Sequence, residues 1–120
     1  MPNMLNLDSA IFYTKNLEKV IDFYRNVIGL EIEYQQSDNF VSFIFPNKVR
    51  LGIKKATEER EQPGRQTIFI EVEEIEEVYN GFKKLNLDFY KELTSENWAK
   101  NFAILDPDGN KLQFIQRRRL

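Results

Sequence analysis

The feature that most restricts what this chain can fold into is an internal repeat. Advancing the first half by 58 residues lays Leu17, Val20, Ile21, Tyr24 and Val27 onto Ile75, Val78, Tyr79, Phe82 and Leu85, apolar on apolar each time. In both halves those residues recur at helical spacing. Each helix follows a run rich in β-branched and aromatic types, residues 9–14 in one half and 67–72 in the other, which reads as a strand. A repeat longer than a solenoid unit and present only twice implies two related modules rather than an array.

Taken in order, Asn16 offers an N-cap to the first helix and Gly29 ends it. Strands are predicted over Leu30–Tyr34, Asn39–Phe45 and Val49–Lys54, the last two joined by a Pro46-Asn47-Lys48 turn. Residues 56–65 are polar, charged and broken by Pro63-Gly64, and are read as a linker. The second half has strands near Asp88–Leu93, Phe102–Leu105 and Lys111–Gln116. Asp106-Pro107-Asp108-Gly109 is a turn with a mechanism. Proline presets φ, the aspartates bond nearby amides, and glycine accepts a positive φ at the exit. Each half therefore reads β-α-β-β-β, with module 1 at about 5–55, the linker at about 56–65 and module 2 at about 66–117 of a single domain spanning 1–120. A four-stranded module with a helix on one face leaves its other face free for a ligand.

Two absences close off chemistry. The chain has no cysteine and no histidine. Disulfides, thiolate nucleophiles and Zn–Cys sites are excluded, as are the commonest metal ligand and the commonest general base near neutral pH. Net charge is −2 with both signs interspersed, so no basic field invites nucleic acid. No segment approaches membrane-spanning length, and the expected location is the cytoplasm.

The Leu17-Glu18-Lys19 helix opening with Phe23-Tyr24, the Gly29-Leu30 pair, the closing stretch Asp106 to Phe114 and the paired modules resemble the vicinal oxygen chelate superfamily. That group contains glyoxalase I, extradiol dioxygenases and bleomycin-resistance proteins. The resemblance implies an α+β fold in which two βαβββ modules form a cup-shaped mixed sheet. It also implies a homodimer, as in members that dimerise, sometimes with modules exchanged about a hinge; here the Pro-Gly linker would be that hinge. In metal-using members each module gives one ligand from its first strand and one from its last. The matching positions here are Ser9, Gly52, Thr67 and Gln113. Glycine has no side chain and the other three are weak neutral donors, whereas transition metals prefer imidazole, thiolate or carboxylate. Shifting by one residue substitutes Asp8 or Gln66 and still makes no site. The expectation is a metal-free cup with no cofactor.

If those four positions face the cup, alternation puts Ile11, Tyr13, Arg50, Lys54, Phe69, Glu71, Lys111 and Ile115 on the same faces. Tyr13 and Phe69 are read as stacking walls for a planar ligand or as core aromatics. Arg50 is read as a carboxylate or phosphate partner, with Glu71 of opposite sign, or as an ordinary strand charge. Gly52 either enlarges the cup or marks a bulge or close backbone approach. Trp98, the only tryptophan, is a lid, a wall or a packing anchor on a polar connection. The run Arg117-Arg118-Arg119 is read as a solvated tail in preference to a contact for an anionic partner. Glu71 and Tyr13 are the proton-transfer groups on these faces, thin support for catalysis. The expected function is retention of a small organic ligand, an antibiotic among the possibilities, without transforming it. The alternatives are a glyoxalase-like lyase or isomerase with a non-standard site, and a module acting only through partner contacts.

Overall fold

The structure, a computed structural model, describes residues 3–118. The chain divides at Gly64/Arg65 into two compact units. Each holds one four-stranded mixed sheet with a helical face, an α+β arrangement.

In the first unit, β1 (Ser9–Thr14) leads into α1 (Leu17–Asp22), followed by β2 (Glu31–Gln36), β3 (Phe40–Ile44) and β4 (Arg50–Lys55). The strand order is β1-β4-β3-β2, with β1 parallel to β4 and the other pairs antiparallel. Asn16 caps α1 as expected, its side-chain oxygen accepting from the Lys19 amide at 3.2 Å. The helix then widens into a π-helical stretch, Phe23–Ile28, which apolar spacing alone does not reveal. Its end is fixed by Tyr24, whose carbonyl accepts from both Gly29 (3.1 Å) and Leu30 (2.9 Å). Gly29 there adopts φ +87°, a conformation that glycine takes without steric cost. Phe12, Val41, Phe43, Leu51 and Ile53 are buried on the sheet, and Leu17, Val20 and Tyr24 on the helical side. Tyr24 meets Phe43 with ring centroids 5.7 Å apart.

The second unit repeats the order with β5 (Thr67–Glu71), α2 (Ile75–Lys83), β6 (Phe89–Ser95), β7 (Ala99–Leu105) and β8 (Lys111–Arg117), arranged β5-β8-β7-β6. Its core is aromatic: Phe102 stacks on Phe114 at 5.0 Å, and Phe82 and Tyr79 meet them edge-on at 5.3 and 5.2 Å. No side chain on α2's own approach caps it. The Gln116 side-chain oxygen, on the last strand, accepts from the Ile75 amide at 2.9 Å instead. Leu85, expected on the helix face, lies beyond the end of α2 and is exposed, because the helix stops before completing the turn that would bring it inward.

Two polar stretches carry bonds that the sequence does not announce. The stretch 56–65 holds no helix or strand and contains the boundary between the units, yet Glu61 is buried in it. Its Oε1 accepts from Lys54 Nζ at 2.7 Å, from the amides of Thr57 (2.9 Å) and Glu58 (3.2 Å), and from the Thr57 hydroxyl (3.2 Å). The bond from Lys54, then that from the Thr57 amide, lowers the Glu61 carboxyl from 4.5 to about 2. A value lowered by folding means a stabilisation fully present above pH 4.5 and lost as pH falls toward 2. Glu61→Gln, which cannot titrate, is therefore expected to be less stable than the parent by a constant margin above pH 4.5, and the margin should shrink below it. Urea unfolding across that range reads the margin. In the arginine run both described residues are exposed. Arg117 belongs to β8, and Arg118 donates Nε to the Glu96 carbonyl at 2.8 Å and a guanidinium N–H to the Ser95 hydroxyl. Arg119 lies outside the described residues.

Candidate functional site

In each unit the face opposite the helix carries the sequence-predicted site residues. Strand register decides which of them meet. In the first unit Ser9 lies opposite Arg50, Ile11 opposite Gly52, and Tyr13 opposite Lys54. Ser42 of β3 lies on the other side of Gly52. Tyr13 is half-buried. Arg50 is engaged within its own unit, its Nε 2.7 and 2.9 Å from the two Glu33 oxygens and a terminal nitrogen 3.2 Å from Asp8. The bond from Arg50, aided by the Ser42 hydroxyl at 3.1 Å, lowers the Glu33 carboxyl below its ordinary value. Arg50 thus makes ordinary ion pairs within the first unit, Glu33 reaching it from the β2 irregularity between Ile32 and Tyr34.

Gly52 neither marks a bulge nor opens a hollow. It pairs regularly with Ser42, and a methyl group there would come 2.7 Å from both Ile11 Cδ1 and Phe40 Cζ. Neighbouring side chains already fill the space. Gly52→Ala is therefore expected to cost about 1–2 kcal/mol by overpacking, measured by chemical denaturation. A glycine kept only to enlarge a ligand space would instead gain stability on gaining a Cβ.

In the second unit Phe69 lies opposite Gln113, with Thr67 opposite Lys111 and Glu71 opposite Ile115. Thr67 and Glu71 are exposed. The β6–β7 turn carries Trp98 to Phe69, ring centroids 6.1 Å apart at 45°. Both rings are accessible, Trp98 at 41% and Phe69 at 55%, while Gln113 beside them is only 8% exposed. Trp98, Phe69 and Gln113 are thus brought together. Ser9 and Tyr13 lie on β1, and Arg50 and Gly52 on β4, of the first unit.

Beneath this aromatic pair lies a polar network that the sequence did not disclose. Asn101, fully buried, accepts from Lys91 Nζ at 2.7 Å and from Gln113 Nε2 at 3.1 Å, and donates to Glu96 Oε2 at 2.9 Å. Glu96 also accepts from Lys91 (3.1 Å) and from the Trp98 indole N–H (3.1 Å). The bond from Lys91, then that from Asn101, holds Glu96 below the ordinary carboxylate value, so it is ionised at neutral pH. One carboxylate therefore fixes both the indole and the network. The signal for Asn101 was alternation. Ala99, Asn101 and Ala103 share a face opposite Phe102 and Ile104, but reading the strand from Phe102 left Asn101 in the preceding connection.

The donor set at Ser9, Gly52, Thr67 and Gln113 does not suit a transition metal. Gly52 offers no donor side chain, and the Ser9 and Thr67 hydroxyls and the Gln113 amide oxygen are neutral, weak ligands. Among the described residues no three His, Cys, Asp or Glu side chains are grouped to hold a metal ion. Nor is any described helix long and apolar enough to cross a membrane.

A family description, the Glyoxalase/Bleomycin resistance protein/Dioxygenase superfamily, matches residues 6–114. Bleomycin resistance proteins of Staphylococcus aureus and Geobacillus stearothermophilus are 27% identical over 120 residues, covering 85% of this chain and 89% of theirs. Among solved structures, TnmS3, an antibiotic binding protein from Streptomyces sp. CB03234, superposes with a TM-score of 0.82 at 14% identity, over 98% of this chain and 100% of its own. A superfamily member from Sphaerobacter thermophilus superposes with a TM-score of 0.81 at 22% identity, over 95% and 98%. At those identities the structural likeness concerns the fold.

Proposed function

Because the chain belongs to the Glyoxalase/Bleomycin resistance protein/Dioxygenase superfamily, we propose that it retains a small, planar organic molecule, an antibiotic being the leading class, without a metal and without transforming it. The observation that carries this reading is the accessible Phe69–Trp98 pair beside the nearly buried Gln113 amide. Apolar walls with a few oriented polar groups are how small-molecule sites generally work. The likeness to bleomycin resistance proteins and to an antibiotic binding protein supports the ligand class. Catalysis has less behind it, since Lys91 and Glu96 are paired with each other.

Trp98 is the sole tryptophan and so reports on its own site. Titration with metal-free bleomycin and a panel of aromatic antibiotics is expected to change its emission for at least one compound and to raise the melting temperature by mass action. A panel that leaves both unchanged, or tightly bound stoichiometric transition metal in the purified protein, overturns the reading.

The same proposal places the protein in the cytoplasm, as a single domain over 1–120 that forms a homodimer and takes neither nucleic acid nor membrane as partner. Met4, Leu5 and Leu7, exposed at 88%, 94% and 70% in the single chain, support a covering partner. Light scattering should give twice the 14.3 kDa chain mass; a species of 14.3 kDa alone refutes the dimer.

A further inference from the structure

The polar network under Trp98 has a direction. A side-chain amide can turn end for end, and its neighbours decide which way it points. Glu96 is a carboxylate that only accepts, and Lys91 is an ammonium that only donates. Asn101 bridges them, its nitrogen 2.9 Å from Glu96 and its oxygen 2.7 Å from Lys91. Turned over, it would set N–H against ammonium and oxygen against carboxylate. Asn101 is fully buried, so water is not there to relieve the mismatch. Its oxygen therefore stays available on the side of Gln113, and Gln113 answers with its own nitrogen at 3.1 Å.

The consequence falls on the other end of Gln113. No described residue donates to its Oε1, and no fully buried side-chain polar atom among the described residues lacks a partner. With Gln113 at 8% exposure on the strand position opposite Phe69, whose ring meets Trp98, its carbonyl oxygen is left as an acceptor that no described residue satisfies, beside those two rings. A ligand laid against those rings shuts that carbonyl off from water, and an unmatched buried acceptor is penalised. Resting on the binding reading above, we infer that Gln113 is a specificity-determining acceptor, and that the ligand is a planar aromatic whose inward edge carries an N–H or O–H donor.

Matched probes test this: indole, benzimidazole and 2-quinolone, each against its N-methyl derivative, titrated by ligand-observed NMR. The N–H member of a pair is expected to bind about five- to tenfold more tightly, the worth of one such bond. In Gln113→Met, which keeps length and removes the carbonyl, the ratio should collapse toward one. Equal affinities within every pair on the parent protein overturn the acceptor role while leaving the binding reading intact. Failure of all six probes to bind removes the aromatic site itself, and this inference with it. The parent comparison decides the matter even if the variant folds poorly.

Discussion

Asn101→Ala is expected to lower the unfolding free energy by about 2–4 kcal/mol, among the largest effects of any single substitution outside the apolar core. The side chain is fully buried and takes part in three bonds with charged or amide partners, to Lys91, Glu96 and Gln113. Removing it leaves the Gln113 nitrogen without its acceptor and takes from Lys91 and Glu96 one partner each, in surroundings where a half-satisfied network costs more than none. In urea the midpoint should fall with the slope unchanged, as for a loss of native contacts without a change in exposed area. A second signature separates this from simple cavity formation. Asn101→Ala and Gln113→Met share one bond, so their combined effect should be smaller than the sum of the two. Strict additivity would mean that the pair is not coupled.

The second large effect is expected at Asn110, also fully buried. Its amide donates to Asp106 Oδ2 at 3.0 Å, and its oxygen accepts from the Gln66 amide at 3.1 Å. One side chain thus ties the β7–β8 turn to the start of β5, 44 residues away in sequence. Asn110→Ala should cost about 2–3 kcal/mol, because the Gln66 backbone N–H, in a part-buried bond, and a carboxylate oxygen of the buried Asp106 each lose a partner. Gly109→Ala offers a calibrating comparison. With φ at +88° and nothing within 4 Å of an added Cβ, its cost is conformational only, about 1–2 kcal/mol. An Asn110 effect no larger than that of Gly109 would reduce the tie to an ordinary turn contact.

Much of the architecture was legible because it is written in periodicity. Leu17, Val20, Ile21 and Tyr24 can share one helix face, and Ile68 and Ile70 alternate with Thr67, Phe69 and Glu71 as a half-buried strand requires. Asp106 through Asn110 revealed its turn because each residue there has a local reason to be present. The Asp106 Oδ1 accepts from the Asp108 and Asn110 amides at 2.9 and 2.8 Å. What stayed hidden is non-local. The π-helical stretch uses the same apolar spacing as an α-helix, and shows itself only in its backbone bonds, such as those from Gly29 and Leu30 to the Tyr24 carbonyl. Glu61 in a charged run looks like solvated surface until Lys54 and the Thr57 amide close around it. For the site, the family resemblance supplied Gln113 and alternation from its matched positions added Phe69, but neither reached Lys91, Glu96 or Asn101. Their meeting depends on the β6–β7 register, which shifts twice along its length.

The parallel pairing of β1 with β4 bears on how the protein is made. Asp8 and Arg50, bonded at the foot of that pair, are 42 positions apart. A ribosome therefore releases the first strand long before its neighbour, and that strand emerges as a bare edge. Closure waits for β4, yet it is complete in principle before β5 begins to appear. The nascent chain thus passes through two separate intervals of exposure rather than one long one, each ended when the last strand of a unit slots in beside the first.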